Sequence, residues 1–264
     1  ASLRRSLEND EIVVYYQPIL EIAGERIVGF EALVRWARQD GTVVRPDEFI
    51  PLAEEIGLIN DIGKFVLNTS AAQTADWVDR FGLSFTAVNF SSRQFRNNNI
   101  AGEIFDALKN AHLQPCNFEM EITESVLMDN SIDSMNLLEL LIKQGMGIAI
   151  DDFGTGYSSL SYITSFPISK IKIDKSFVAK IPDDKNALAV VNAIIGLAKS
   201  LNFKVVAEGI ETTEQLECLL KLGCQYGQGF LFSEPVLAIE ATRLLESRTT
   251  RSATSDTSRQ QGVE

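Results

Sequence analysis

The sequence predicts an α/β fold, a TIM-type (β/α)8 barrel modified by an antiparallel first strand. Eight short apolar runs rich in Val, Ile and Phe alternate with segments whose apolar residues recur at helical spacing. The chain has 264 residues, close to the roughly 250 that an eight-stranded barrel needs. Because 45% of the residues are hydrophobic, we expect one large domain over residues 1–246.

The individual elements follow from these patterns. Strands are expected at 13–19, 27–36, 85–91, 118–123, 147–153, 170–174, 204–210 and 227–232. Helices are expected at Asn60–Arg80, Ile100–Ala111, Ser131–Gln144, Asn186–Leu201 and Thr212–Leu222. Pro46 and Pro182 are typical of helix starts or turns. Only EIAGERI separates the first two strands, which is too short for a crossover helix, so the two form an antiparallel hairpin.

The ends and the cysteines of the chain suggest its context. Residues 247–264 are rich in Ser and Thr, which predicts a disordered tail or linker. The chain starts at Ala1 without a Met, so we interpret it as a piece of a longer protein. Three cysteines without C-x-x-C spacing favour a reducing, cytoplasmic compartment. The absence of a signal peptide and of a long apolar run predicts a soluble domain, whether or not the parent chain is membrane-anchored.

The charge balance and the single histidine exclude several function classes. The chain has 36 acidic and 24 basic residues and a net charge of −12, the opposite of what binding to a nucleic-acid polymer requires. His112 is the only histidine, so Ser-His and Cys-His relays and multi-histidine metal centres are disfavoured.

Seven of the short apolar runs end in polar residues, as strands would that deliver polar side chains to one rim. In a parallel barrel the C-terminal strand ends meet at one mouth, where active sites lie. We therefore expect these carboxylates, amides and a lysine to come together. The residues are Glu31, Asn89, Glu121, Asp151 with Asp152, Lys172 with Asp174, Glu208 and Gln228.

Five of these carboxylates at one mouth would repel each other unless protons or cations neutralised them. The five are Glu31, Glu121, Asp151, Asp152 and Glu208. Oxygen ligands without thiolates or imidazoles suit Mg²⁺ or Mn²⁺, and Asp151 with Asp152 could bridge two such ions. Lys172 could offset charge on a phosphate. The ordinary alternatives are a solvated Asp-rich turn and a lysine that reaches solvent. A glycoside hydrolase is another alternative, although a lysine and an amide among the acids favour metal chemistry.

The motifs at these positions resemble the EAL-domain cyclic di-GMP phosphodiesterase family. The signature is Glu31-Ala32-Leu33, within EALVRW. It is preceded by YYQPI and followed, in family order, by VNFSSRQF, EITES, DDFGTGYSS, KIDKSF, AEGIE and QGFLFSEP. The resemblance covers approximately residues 1–245.

The resemblance implies hydrolysis of cyclic di-GMP to linear pGpG by a two-metal mechanism. It implies that Lys172 positions the attacking water and that Glu208 is the usual candidate for the base, although a divalent ion can activate water with little help. One ion would be held by Glu31, Asn89, Glu121 and Asp151, and the second by Asp151, Asp152 and Glu208.

Further positions match the family's substrate site and its regulatory loop. Gln17, Arg35, Glu211 and Gln228 would contact the nucleotide, and a guanidinium at Arg35 suits a phosphate. Glu124 would anchor the loop after the fifth strand, although an acid there also suits a helix N-terminus. DDFGTGYSS would then be the mobile part that couples metal binding to subunit contacts.

Every metal-ligand position of the family is intact, which favours an enzyme over a catalytically silent cyclic di-GMP receptor. Differences from the family pattern are confined to Phe90, Ser92 and Ile210. Ca²⁺ is expected to inhibit, because its longer and looser coordination would misplace the water. The resemblance also implies a homodimer, and a sensory or GGDEF domain elsewhere in the parent chain.

Overall fold

The barrel predicted from the sequence is present and closed. A computed structural model describes residues 2–97, 99–124, 126, 132–156 and 166–247. Eight strands form the barrel wall, in the order β1, β9, β8, β7, β6, β5, β4, β2, and β1 pairs with β2 to close the ring. The strands are β1 Ile12–Glu21, β2 Arg26–Ala37, β4 Phe85–Asn89, β5 Phe118–Thr123, β6 Gly147–Phe153, β7 Lys170–Ile173, β8 Lys204–Ala207 and β9 Tyr226–Gly227. Two short strands, β3 Val43–Val44 and β10 Val236–Leu237, extend β2 and β1 outside the ring.

The first two strands form the predicted antiparallel hairpin. They pair from Ile12 with Trp36 to Glu21 with Arg26, and Gln17 lies opposite Glu31. The remaining strands from β2 through β4 to β9 pair in parallel. The second strand expected at 27–36 is confirmed, since β2 runs from Arg26 to Ala37 along its hairpin partner, and Glu31 lies inside the strand.

The eighth barrel strand is much shorter than the expected 227–232. Strand β9 contains only Tyr226 and Gly227 and pairs with β1 and β8 over two residues each. Beyond β9 the chain passes close to Ile210, and only glycine fits at position 229, because a Cβ there would lie 2.1 Å from the carbonyl oxygen of Ile210. The chain turns over Ile210, whose amide donates to Gln228 O and whose carbonyl accepts from Leu231 N.

Helices cover the outside of the barrel at the positions that the periodicity predicts, with two long additions, α2, which begins at Pro46, and α10 at 238–247. The helices are α1 Ser2–Ser6, α2 Pro46–Glu55, α3 Ile59–Phe81, α4 Ser92–Phe95, α5 Ile100–Asn110, α6 Ile132–Lys143, α7 Lys175–Val178, α8 Lys185–Ser200, α9 Thr213–Leu222 and α10 at 238–247. Pro182 lies in a turn, and the side chain of Asp184 caps α8 by accepting from the amides of Asn186 and Ala187. The predicted tail beyond residue 247 lies outside the described residues.

The main core lies between the strands and the helices. Tyr16 and Phe30 on the outer face of the hairpin pack against Trp77 of α3, with ring centroids 4.9 and 4.7 Å from that of Trp77. The Trp77 indole N–H donates to Thr242 Oγ1, which holds α10 in place. Inside the barrel Ile19, Val28, Ala87 and Val206 form a small apolar layer. The polar residues Gln17, Asn89 and Glu208 lie two positions nearer the mouth than Ile19, Ala87 and Val206. The polar mouth is therefore supported by a packed interior.

In the part of the chain that the structure describes, none of the helices combines the length and apolar character needed to cross a bilayer.

The cysteines provide a test of this packing. Cys224 is buried, and burial raises the pKa of its thiol to about 12, while Cys116 is exposed. Because the thiolate is the reactive form, a thiol reagent at neutral pH is expected to label Cys116 quickly and Cys224 only after unfolding. Mass spectrometry of the labelled peptides measures both rates, with Cys116→Ser as the control. Rapid labelling of Cys224 in the folded protein would contradict this packing.

Candidate metal and active site

A buried lysine holds the carboxylates together at the mouth of the barrel. Lys172 points inward from β7 and is fully buried. Its Nζ lies 2.7 Å from Glu121 Oε2, 2.7 Å from Glu208 Oε1, 3.1 Å from Asp151 Oδ1 and 3.2 Å from Glu31 Oε2. Four strands therefore deliver acids to one ammonium group, because alternate residues of each strand face the interior.

Two amides fix the orientation of Glu31. Asn89 Nδ2 donates to Glu31 Oε1 over 2.7 Å, and Gln228 Nε2 donates to Glu31 Oε2 over 2.6 Å. Gln228 also donates to Glu208 Oε1 over 2.9 Å. The amide nitrogen of Gln228 thus links the two acids, while its Oε1 is buried without a hydrogen-bond partner.

The surroundings of the acids shift their pKa values in different directions. Burial alone would raise the pKa of Glu31, but Lys172 and the two amides outweigh burial and lower it. Burial and the charge of Glu31 raise the pKa of Glu121 well above its usual value. Burial, with the charge of Asp151, raises the pKa of Glu208 to about 8 and that of Asp152 to about 6. Lys172 responds in the opposite sense: burial opposes its charge, but the surrounding carboxylates raise its pKa well above the usual value.

These acids fit divalent cations. Glu31, Glu121 and Asp151 place one oxygen each within 4.8 Å of one another, and so do Asp151, Asp152 and Glu208. Asp151 belongs to both groups, as a ligand shared by two ions would. Glu121 Oε1 is buried with no hydrogen-bond partner, a state that a bound cation would relieve. The five carboxylates also exceed the single charge of Lys172, which leaves an excess of negative charge that hard cations can neutralise.

Asp152 lies at the edge of this cluster in an unusual backbone conformation. Its φ is +52°, in the left-handed region that non-glycine residues seldom adopt. Its amide donates to Asp151 Oδ1 over 3.0 Å. The conformation turns the second carboxylate of the pair back towards the mouth instead of outward, as the strand alternation alone would place it.

The residues predicted to contact substrate lie around the rim with different accessibility. Gln17 is buried, and its side chain donates to Ser233 O over 3.2 Å. Arg35 is half-buried beside Tyr15, with its Cζ 5.8 Å from the ring centroid, and it donates to Val34 O. Burial lowers the pKa of Arg35. Glu211 is exposed, and its amide donates to Gln215 Oε1.

Asp174 has a local structural role, and Glu124 lies beside the loop that it is predicted to anchor. Both carboxylate oxygens of Glu124 are buried without hydrogen-bond partners, next to Gly156, whose added Cβ would lie 3.2 Å from them. Most of the loop that Glu124 is predicted to anchor, from Tyr157 onward, lies outside the described residues. Asp174 caps α7 by accepting from the amide of Ser176 over 3.0 Å.

A cavity that the sequence did not reveal opens beside the acids. It has a volume of about 440 Å³ and lies between helices α2 and α3 and the outer sides of β2 and β4. Its walls are mainly apolar, and Asn89, Asp151 and Asp152 line it where it meets the mouth. Pro51 interrupts the apolar residues of α2, so the sequence pattern did not predict a helix there that could line a cavity.

Known proteins resemble this chain in both sequence and fold. The family model for the EAL domain matches residues 1–235. The chain belongs to the EAL domain family. It is 43% identical over 235 residues to the signaling protein YkoW of Bacillus subtilis, covering 89% of this chain and 29% of YkoW. It is 41% identical over 237 residues to the bifunctional diguanylate cyclase/cyclic di-GMP phosphodiesterase MucR of Pseudomonas aeruginosa, covering 89% of this chain and 35% of MucR.

A solved structure described as the PaMucR phosphodiesterase in complex with c-di-GMP has a TM-score of 0.88 and 40% sequence identity. The match covers 91% of this chain and 98% of that one. This EAL chain spans only about a third of the length of MucR and YkoW. The EAL fold is thus shown over most of this chain. The rest of YkoW and of MucR lies outside the matched region.

The raised pKa values predict how the metal-free EAL domain responds to pH. The folded domain holds a proton on Glu208 that the unfolded chain releases, because the pKa is raised from 4.5 to about 8. The folded state therefore binds more protons in this window, and the free energy of unfolding falls as the pH rises through it. We expect the Tm in chelator to decrease from pH 4.5 to pH 8.

Mg²⁺ or Mn²⁺ should raise the Tm most at the high-pH end of this window, since binding to the folded state stabilises it and fewer protons compete there. Glu208→Gln should flatten the pH dependence in chelator, while Glu217→Gln on the exposed face of α9 should leave it unchanged. A Tm in chelator that is constant across the window and indifferent to either cation would argue against the electrostatics described here.

Proposed function

We propose that this EAL domain is a metal-dependent phosphodiesterase that hydrolyses cyclic di-GMP to linear pGpG with two Mg²⁺ or Mn²⁺ ions. The observation that carries the proposal is the pair of three-carboxylate groups that share Asp151. Homologues named cyclic di-GMP phosphodiesterase and the related structure in complex with c-di-GMP support the substrate.

The residues present fit two cations. Glu31, Asn89, Glu121 and Asp151 would hold one, and Asp151, Asp152 and Glu208 the second. When bound, the ions would activate water and neutralise charge on the phosphate. Asn89 uses its amide nitrogen for Glu31, so its oxygen would be the atom available to a cation.

Lys172 acts in this reaction as a fixed positive charge and hydrogen-bond donor. Its pKa is raised by the surrounding acids, so it keeps its proton at every working pH and does not serve as a base. Its three N–H groups orient the acids and would position the attacking water through them, and its charge favours the phosphate as negative charge develops there. The burial of Lys172 fixes this donor in place before substrate arrives.

Glu208 is the residue to which we assign the proton of the attacking water. It follows the last residue of β8, so its backbone is held by the barrel while its carboxylate reaches the mouth. The amide of Gln228 and the ammonium of Lys172 both donate to Oε1 of Glu208. These two donors leave Oε2 as the oxygen that can accept a proton.

The rim residues would bind the rest of the nucleotide. Arg35 is placed to approach a phosphate, since its guanidinium lies on β2 four residues after Glu31. Glu211 is exposed at the rim and can accept hydrogen bonds. Gln17 ties β1 to Ser233 and so shapes the wall next to the substrate. The cavity of about 440 Å³ beside the acids has room and apolar walls for one planar base.

The wider setting of the domain is also part of the proposal. We infer a cytoplasmic domain that pairs as a homodimer and works beside a sensory or GGDEF domain in a longer chain. The multi-domain names and lengths of relatives such as MucR support the second part. Glu124 would anchor the loop through which such contacts reach the metal ligands.

A chromatographic assay tests the activity directly. The domain incubated with cyclic di-GMP should produce linear pGpG with Mg²⁺ or Mn²⁺ and none in chelator. Glu31→Gln should lower kcat/KM by at least about 100-fold, because it removes a carboxylate from one group of metal ligands and weakens its bond to Lys172. Glu217→Gln, on exposed α9, is the matched control. Nucleotide that binds but is never cleaved with either ion would instead indicate a receptor.

Calcium provides a separate test of the metal mechanism. We expect Ca²⁺ to raise the Tm, because it binds the same oxygens, and to support no hydrolysis, because its coordination is longer and less directional than that of Mg²⁺. Added to the Mg²⁺ enzyme, it should inhibit in competition with Mg²⁺. Full turnover in Ca²⁺ alone would contradict the two-ion mechanism.

A further inference from the structure

A second buried lysine-glutamate pair lies below the candidate site, inside the barrel. Lys170 Nζ is 2.7 Å from Glu119 Oε1, and the two residues are 4% and 5% exposed. Each precedes a site residue by two positions: Lys170 precedes Lys172 on β7, and Glu119 precedes Glu121 on β5. Because side chains two apart on a strand face the same side, the two pairs form successive rungs in the barrel interior.

The lower pair fits closely into its surroundings. Lys170 Nζ lies 3.8 Å from the ring centroid of Phe85, a cation-π contact. A Cβ on Gly147 would lie 2.9 Å from Glu119 Oε2, and a Cβ on Gly29 would lie 2.8 Å from Cζ of Phe85. Two glycines therefore make room for this ion pair and for the ring beneath it. The side chains of the pair have little freedom to move elsewhere.

Strand β6 lies between the two strands that carry the pairs. Its inward residues below Asp151 are Gly147 and Ala149, which lie beside Glu119 and Glu121 in the β5 register. Ala149 also lies beside Lys170 in the β7 register. Because these residues are small, the charged side chains of β5 and β7 meet across β6. The lower rung thus connects the two strands that bring Glu121 and Lys172 together.

A buried ion pair of this kind is not expected to add much to the stability of the fold. Removing two charges from water is unfavourable, and apolar side chains of similar volume often stabilise a core as well or better. A buried pair is more useful where it selects one arrangement among several. Here the arrangement is the relative height of β5 and β7, on which the 2.7 Å contact between Lys172 and Glu121 depends.

We propose that Lys170 and Glu119 are a positioning pair that sets Lys172 and Glu121 in their reactive geometry. The proposal rests on the phosphodiesterase function proposed above. Neither residue of the lower pair touches the substrate or the reacting atoms. The pair acts through the strands, by holding the upper lysine and glutamate two residues further along.

The central experiment replaces both charges with apolar side chains of similar size. In Glu119→Met/Lys170→Met the fold should persist, and KM for cyclic di-GMP should stay within about twofold. The kcat should fall at least about tenfold, since misplacement by about 1 Å costs up to roughly 100-fold. Glu217→Met/Lys221→Met removes an exposed pair on α9 and should change neither constant. Ile104→Val, in the core at α5, controls for a general loss of stability.

The charge-exchanged variant Glu119→Lys/Lys170→Glu keeps the pair. It should fold and recover kcat to within about threefold of the unmodified domain, since the connection across β6 is preserved. A folded double-Met variant with unchanged kcat would overturn the proposal, and so would a folded exchanged variant as slow as the double-Met one. If neither variant folds, the pair serves folding alone and the proposal is also overturned.

A readout that does not need catalysis separates this proposal from the proposed function. The readout is the rate at which the Lys172 amine is acetylated under native conditions, measured by peptide mass spectrometry. This rate should rise at least about threefold in the folded double-Met variant, because a misplaced Lys172 side chain is exposed to solvent more often. Lys221 should acetylate equally in both proteins. If the unmodified domain cleaves no cyclic di-GMP with any metal, the proposed function is wrong. If Lys172 is acetylated at the same rate in the double-Met variant and in the unmodified domain, the positioning role is wrong, whatever the activity.

Discussion

The structure depends on one buried ammonium group that faces four carboxylates. Without Lys172, the acids delivered by β2, β5, β6 and β8 would be like charges in a poorly solvated space, and the strands that carry them would repel one another. Lys172 offsets part of this repulsion, and the mouth of the barrel keeps a net negative charge. The same imbalance that threatens the fold is what makes the site attractive to hard cations. Stability and cation affinity therefore have one electrostatic origin.

The barrel wall arranges this chemistry by simple alternation. Outward residues such as Phe30 and Tyr16 build the large core with the helices, and inward residues carry polar groups near the mouth. Only a thin apolar layer, including Ala87 and Val206, lies inside. Among the described residues, most of the buried apolar side chains thus belong to the cluster that the wall shares with the helices, and few belong to the inner layer. The interior can be polar because the exterior is so well packed.

Much of this was accessible from the sequence, for identifiable reasons. The seven-residue connection before Ile27 forces a hairpin, and polar residues after apolar runs mark the mouth. The extent of β2, expected at 27–36, was predicted to within one residue at each end. The shortness of β9 was not predicted, because it goes with contacts between distant parts of the chain, such as the hydrogen bonds that Ile210 makes with Gln228 and Leu231. Distances around Lys172 depend on the relative stagger of the strands, which no local pattern encodes.

Strand β9 contributes only two residues to the ring, so few backbone hydrogen bonds join it to β1 and β8. Gln228 compensates from just beyond that strand by reaching Glu31 on β2. The seam with the fewest paired residues is thus reinforced by a side chain that belongs to the site. Separation of β9 from β1 would move Gln228 away from Glu31 and Glu208, so a disturbance of the wall at this point reaches the acids directly.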